Sequence, residues 1–186
     1  MNYILLKIND DISSPMLIDF FKNLLGNNVD IKKEDNIYSI MHTTIDYKYL
    51  YDALSSLIYE YDFKMYAYIS RVDDTKDNYL ILKDYFKNTI LKNNIYEEHS
   101  FIMELVLNGI YGNLDNVVLG KYKNDPTTIE VLKCFLENNM NTSKTANSIY
   151  MHRNTLINKL VKFVQNTGYD IKKFNDAFII YHLIKK

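Results

Sequence analysis

One cysteine, Cys134, stands in a chain of 186 residues. An internal disulfide is therefore excluded, and Cys134, set in a helical run, is expected to be a buried structural thiol. No apolar run approaches the roughly 20 residues that a membrane span needs. The opening MNYILLKIND is apolar for only a few residues. It lacks a basic leader and a small-residue cleavage site, so it reads as a first strand rather than a signal peptide. The expected location is the cytoplasm, with no membrane partner. His42, His99, His152 and His182 lie far apart and form no metal-spaced cluster. Walker, Rossmann and nucleophile-elbow motifs are missing. Ser143 and His152 read as capping residues, not as a nucleophile and its base. No catalytic residue, metal or cofactor is expected, and the chain is not read as an enzyme. Glycine (five) and proline (two) are scarce beside abundant Asn, Ile, Lys and Tyr. That bias reads as the codon usage of an AT-rich genome and carries no functional information.

Hydrophobic residues at 47% supply enough apolar material for one large or two small domains. The net charge of −1 hides an asymmetry. Residues 126–186 hold nine Lys and Arg against four Asp and Glu, or +5. Residues 1–125 hold thirteen against nineteen, or −6. An acidic part joined to a basic part suggests that only the second meets a polyanion.

Tyr3–Ile8 reads as a strand. Ser13-Ser14-Pro15 then offers a cap and an early-helix proline, and Gly26 closes a run of Leu and Phe at helical spacing. Val29–Lys33 and Ile37–His42 read as strands around a Glu34-Asp35-Asn36 turn. Tyr47–Tyr61 forms a second amphipathic helix, and Phe63–Val72 a strand. The order β-α-β-β-α-β predicts a ferredoxin-like split unit with two helices on one face of an antiparallel sheet. Helices are expected over Asn78–Leu91 and Ser100–Leu107. The fold class is α+β: an α+β domain over 1–110, a linker or short helix over 111–125, and an all-α domain over 126–186. In the last, Thr128–Glu137 is helical and Asn138–Asn141 breaks it. Ser143 is the expected N-cap of a helix running to about Ile149. Tyr150-Met151-His152 is a turn, Arg153 to about Val164 is a helix, Gly168 ends the next segment, and Asp176–Ile184 is a final helix.

The two short helices within Ser143–Leu160, SKTANSIYMHRNTLINKL, are spaced as a helix-turn-helix. On the second, Leu156, Leu160 and Phe163 form one apolar stripe. Asn154, Thr155, Asn158 and Lys162 lie opposite, with Lys159 at the edge. Asn can bond adenine in bidentate fashion, Lys can meet guanine or phosphate, and a Thr methyl can meet thymine. Arg153 at the helix start is disfavoured by the dipole unless a phosphate lies nearby.

From about Thr128 onward the chain resembles the C-terminal helix-turn-helix of PucR-type transcriptional regulators. Three stretches carry the likeness: Ser143-Lys144-Thr145-Ala146, His152-Arg153-Asn154-Thr155-Leu156 and Thr167-Gly168-Tyr169-Asp170-Ile171. The resemblance implies a transcription regulator whose recognition helix begins near Arg153. Ala146 would let the motif helices approach, and Met151 would pack beneath them. It adds Lys144 and Thr145 to Arg153, Asn154, Thr155, Asn158, Lys159 and Lys162 as DNA-contacting residues. Double-stranded DNA is the implied partner and a homodimer the implied assembly, since one motif reads few base pairs. The family's Arg-aromatic-Arg after HRNTL is here Ile157, Asn158 and Lys159. This departure points to weaker, oligomer-dependent or A·T-shifted binding. It leaves open a second reading: a protein-interaction or structural module whose degenerate motif packs against protein. The N-terminal part resembles, more faintly, a GGDEF-like domain. Its catalytic hairpin would fall at Lys33–Ile37, but the two glycines needed for close phosphate approach are absent. A degenerate scaffold or dimerisation domain without cyclase activity is expected. Glu34 and Asp35 read as solvated turn carboxylates rather than a metal pair.

Overall fold

The computed structural model describes residues 1–8, 14–43, 46–61 and 64–185. The chain divides into two compact units, Met1–Phe101 and Ile102–Lys186.

The first unit contains strands β1 (Asn2–Ile8), β2 (Asp30–Glu34), β3 (Ile37–His42), β4 (Met65–Ile69) and β5 (Ile95–Glu97). Helices α1 (Ser14–Leu25), α2 (Tyr47–Tyr61) and α3 (Lys76–Asn88) connect them. The sheet order is β2-β3-β1-β4-β5. β1 pairs antiparallel with β3 and β4, and β2 antiparallel with β3. The first four strands and two helices thus form the expected β-α-β-β-α-β unit. β5 was not expected: it adds to β4 in parallel after α3 crosses over.

That crossover changes the layering. Ile4, Leu6, Tyr38 and Ile40 on one sheet face pack with Leu17 and Phe21 of α1 and with Leu50, Leu54 and Leu57 of α2. Tyr3, Leu5 and Tyr68 on the opposite face are also fully buried. The Tyr3 ring meets Tyr79 of α3 edge-on at 4.9 Å, and the Tyr79 hydroxyl donates to Ser39 Oγ at 3.0 Å. The central strand is therefore covered on both faces, which explains why its sequence is an unbroken apolar run.

The expected Phe63–Val72 strand shortens to Met65–Ile69, with Phe63 outside the described residues. The Ser13 cap lies outside them too. α3 starts earlier than expected because Thr75 caps it, accepting the Asn78 N–H at 3.1 Å. In the β2–β3 turn Asp35 takes a left-handed backbone, φ 56°, which Asp tolerates better than most residues. The Glu34 and Asp35 carboxylates are not merely solvated. They pair with Lys83 at 2.8 Å and Lys87 at 2.6 Å on α3.

The second unit is helical. The division between units falls inside α4 (Glu98–Leu107). α5 (Leu114–Leu119), a 3-10 turn (Gly120–Asn124), α6 (Pro126–Glu137), α7 (Thr142–Ser148), α8 (Arg153–Thr167) and α9 (Phe174–Ile184) follow. Residues 111–125, read from sequence as a linker or short helix, contain α5. Its Leu114, Val117, Val118 and Leu119 are buried, so this stretch belongs to the second unit's core. Asp125 caps α6, and Pro126 occupies the first turn where a missing N–H costs nothing. Cys134 is half-buried rather than buried. The Asn138 side-chain amide donates to its Sγ at 3.2 Å.

Candidate nucleic-acid interface

The motif is set by its caps. Asn139 and Met140 both take left-handed backbones after α6. The chain then enters α7 through Asn141, whose Oδ1 accepts the Lys144 N–H at 3.0 Å. Asn141, not Ser143, is the N-cap: it has the extended backbone of a cap, whereas Ser143 is already inside the first turn. α7 stops at Ser148. The Met151 N–H reaches back to the Ala146 carbonyl at 2.8 Å, which closes the turn. Ala146 is buried as its small size requires. Met151 is half-buried. His152 then caps α8, its Nδ1 accepting the Asn154 N–H at 3.2 Å. Gly168 ends α8 in the left-handed conformation, φ 80°, its N–H bonded to the Val164 carbonyl.

Helical phase sorts the α8 side chains as the sequence suggested. Leu156, Leu160 and Phe163 are buried, and Thr167 extends their stripe. Arg153, Asn154, Thr155, Asn158 and Lys162 are exposed; Ile157 and Lys159 are half-buried. Lys144 is exposed on α7. Thr145 is not available to a partner: it is fully buried, and its hydroxyl donates to the Asn141 carbonyl at 2.8 Å. Its hydroxyl is thus spent inside the motif. Thr145 is removed from the DNA-contacting set.

Thr155, Asn158, Lys159 and Lys162 line one cleft of about 400 Å³ together with Tyr122 and Asp125. Neither of the last two was singled out from sequence as a neighbour of the reading helix, because both come from separate elements. Asp125 accepts from Thr128 Oγ1 at 2.6 Å and from the Thr128 N–H at 3.2 Å. These bonds, with a smaller contribution from Lys159, hold its carboxyl below the usual range. An ionised carboxylate therefore faces the α8 lysines and offsets part of their charge. The Tyr122 hydroxyl accepts from the Asn166 amide at 2.9 Å, and Lys121 donates to Asn166 Oδ1 at 3.2 Å. These contacts tie the far end of α8 to the 3-10 turn and leave its first turns exposed. Among the described residues no group of three or more His, Cys, Asp and Glu is placed to hold a metal ion. No helix among them is long and apolar enough to cross a membrane.

A capped short helix, a tight turn and a longer helix with a polar, cationic outer face define a helix-turn-helix domain. Residues 128–185 match the PucR C-terminal helix-turn-helix domain. The uncharacterized protein YxkF of Bacillus subtilis (strain 168) is 37% identical over 54 residues. That match covers 29% of this chain and 18% of YxkF. The chain thus spans less than a fifth of that relative. The crystal structure of a regulator of polyketide synthase expression from Bifidobacterium adolescentis superposes with a TM-score of 0.51 at 16% identity. It covers 98% of this chain and 78% of that one. The likeness therefore extends over both units, at the level of fold.

Proposed function

We propose that the protein is a cytoplasmic, sequence-specific DNA-binding transcription regulator of PucR type that acts as a homodimer. The observation that carries this is the exposed face of α8, Arg153, Asn154, Thr155, Asn158 and Lys162, set opposite a buried Leu156–Leu160–Phe163 stripe. It lies inside a matched PucR helix-turn-helix domain. Its amides and hydroxyl suit base edges in the major groove, and its cations suit phosphate. Arg153 sits in the first turn of α8, where the helix dipole opposes a cation. A phosphate at that point removes the opposition. The +5 charge of residues 126–186 supports the same surface. Lys159 contributes less than Lys162, because it is half-buried and its charge is the one that acts on the Asp125 carboxylate.

The N-terminal unit acts as a GGDEF-like scaffold or dimerisation domain without catalysis. The two carboxylates of its hairpin, Glu34 and Asp35, are committed to ion pairs with Lys83 and Lys87. Selection from a random duplex pool by the full chain tests the assignment. Enrichment of paired inverted half-sites, with centres about 10 base pairs apart or a multiple of that, is expected of a symmetric dimer. Retention of no duplex above background would overturn it.

A further inference from the structure

The inner face of the sheet changes character at one end. Along β1 the side chains turned toward α1 and α2 run Leu6, Ile4, Asn2, and along β3 they run Tyr38, Ile40, His42. Asn2 and His42 pair across the two strands. Two polar residues thus take the last places of an apolar face, a break in patterning of the kind that functional sites carry.

A cleft of about 180 Å³ lies there, large enough for a small molecule. Asn2 comes to it from β1, His42 from β3, and Ser70 and Arg71 from the chain just after β4. Leu50 of α2, with Ile69 and Val72, supplies apolar lining. The cleft sits at the opposite end of β3 from the Glu34–Asp35 turn.

One wall carries a buried acceptor without a donor. The His42 Nδ1–H donates to the Thr43 carbonyl, which can only accept. Burial holds the ring pKa below its ordinary value, so the ring is neutral. Nε2 then has a lone pair and no proton. It is buried, and no described residue donates to it. Such an atom costs stability until a bound donor satisfies it. The Ser70 hydroxyl accepts the Tyr3 N–H at 2.9 Å, which leaves its own proton to donate. Arg71 brings little net charge, since its Nε lies 3.3 Å from Asp74 and 3.4 Å from Glu98, both buried. An anion therefore gains little in the cleft, and a cation meets the guanidinium.

We propose that this cleft is a binding site for a small uncharged secondary amide. Its N–H donates to His42 Nε2, its carbonyl accepts from the Ser70 hydroxyl, and its apolar ends lie against Leu50, Ile69 and Val72. β3 and β4 flank β1, so their backbones stand about 10 Å apart. A trans amide points its N–H and carbonyl in opposite directions, which matches an acceptor and a donor carried by these two strands. The N-terminal unit is then a ligand-binding unit as well as a scaffold, and this holds whether or not the C-terminal unit reads DNA.

Two-dimensional amide NMR of the full, isotope-labelled chain, titrated with N-methylisobutyramide and with N,N-dimethylisobutyramide, tests this beside thermal melts. The first amide is expected to shift the signals of His42, Ser70, Arg71 and Val72 saturably, with the millimolar Kd that so few atoms allow. The second lacks the N–H and is expected to bind about tenfold more weakly. Val72 is 62% exposed, so Val72→Phe is expected to melt like wild type while its ring closes the cleft and abolishes binding. His42→Phe has no acceptor and is expected to lose the preference between the two amides. No saturable shift at the cleft in wild type overturns the site and leaves it to water. Equal affinity of wild type for the two amides overturns the His42 contact. Undiminished binding by folded Val72→Phe places the amide elsewhere and overturns the proposal as well.

Discussion

Replacing Leu160 by Ala tests the phase of α8, on which the identity of the reading face depends. Leu160 is 2% exposed and lies on one stripe with Leu156 and Phe163, both 0% exposed. Truncation removes apolar contacts and leaves a cavity that a close-packed helical unit fills only in part, which costs about 2–5 kcal/mol. At about 4–8 °C per kcal/mol for a unit of this size, the melting transition of the C-terminal unit should fall by at least about 8 °C and by as much as about 40 °C. Asn158, two residues earlier, is exposed. Its replacement by Ala should cost less than about 0.5 kcal/mol and move the same transition by no more than about 4 °C. Differential scanning calorimetry of the full chain measures both variants, with circular dichroism to show that helix content is kept at low temperature. Equal shifts for the two variants, or an unchanged transition in Leu160→Ala, would refute the inside-outside assignment and the DNA-contacting face with it.

Three further outcomes follow from particular contacts. Asp125→Asn should keep the α6 N-cap, since Asn caps as well as Asp, but remove the carboxylate from the cleft that holds Lys159 and Lys162. Duplex affinity at low salt should then rise about two- to fivefold, and the gain should shrink at high salt; unchanged or lower affinity in a folded variant would show that Asp125 does not oppose the DNA. Hydrogen bonds from Lys83 and Lys87 hold the Glu34 and Asp35 carboxyls below their usual range. Depressed folded values contribute stability that is present above the unfolded values near pH 4 and is lost as pH falls through the folded ones. The urea midpoint of the N-terminal unit should therefore fall on acidification below about pH 4, and less so in Lys87→Ala, where one of the two pairs is already gone. Gly168→Ala forces a Cβ into φ 80° with no neighbour atom in the way, so the cost is conformational, about 1–2 kcal/mol. It should appear as a lower melting temperature with unchanged DNA affinity per folded molecule.

Much of the motif was legible in the chain because helical phase and local capping are short-range properties. Leu156, Leu160 and Phe163 announced a buried stripe and His152 a cap, whereas α8 runs past the expected end near Val164 to Thr167, where Gly168 stops it. The failures come from choices that local sequence leaves open. Asn141 and Ser143 are both good caps two positions apart, and the left-handed Asn139 and Met140 decide which one meets the helix. Thr145 joined the DNA-contacting set only through the family resemblance, yet its hydroxyl is satisfied by the Asn141 carbonyl and it can be buried at little cost. β5 spans only Ile95–Glu97 and owes its existence to pairing with β4, which no periodicity of three residues can reveal. Tyr122 and Asp125 join the α8 face only through tertiary packing. The antiparallel part of the sheet was readable from alternating turns and apolar runs. The only trace of the second covered face in the sequence is the unbroken apolar run Tyr3 to Leu6, all four of which are buried.

The salt dependence of duplex binding, measured side by side for the full chain and for Lys162→Ala, tests DNA reading by α8 most directly. Wild-type log K should fall linearly with log salt concentration as phosphate counterions are released. Lys162→Ala should remain folded, bind more weakly on every duplex, and show a slope flatter by about one unit, the signature of one phosphate contact removed. No binding at low salt, a salt-independent affinity, or an identical slope in folded Lys162→Ala would contradict it.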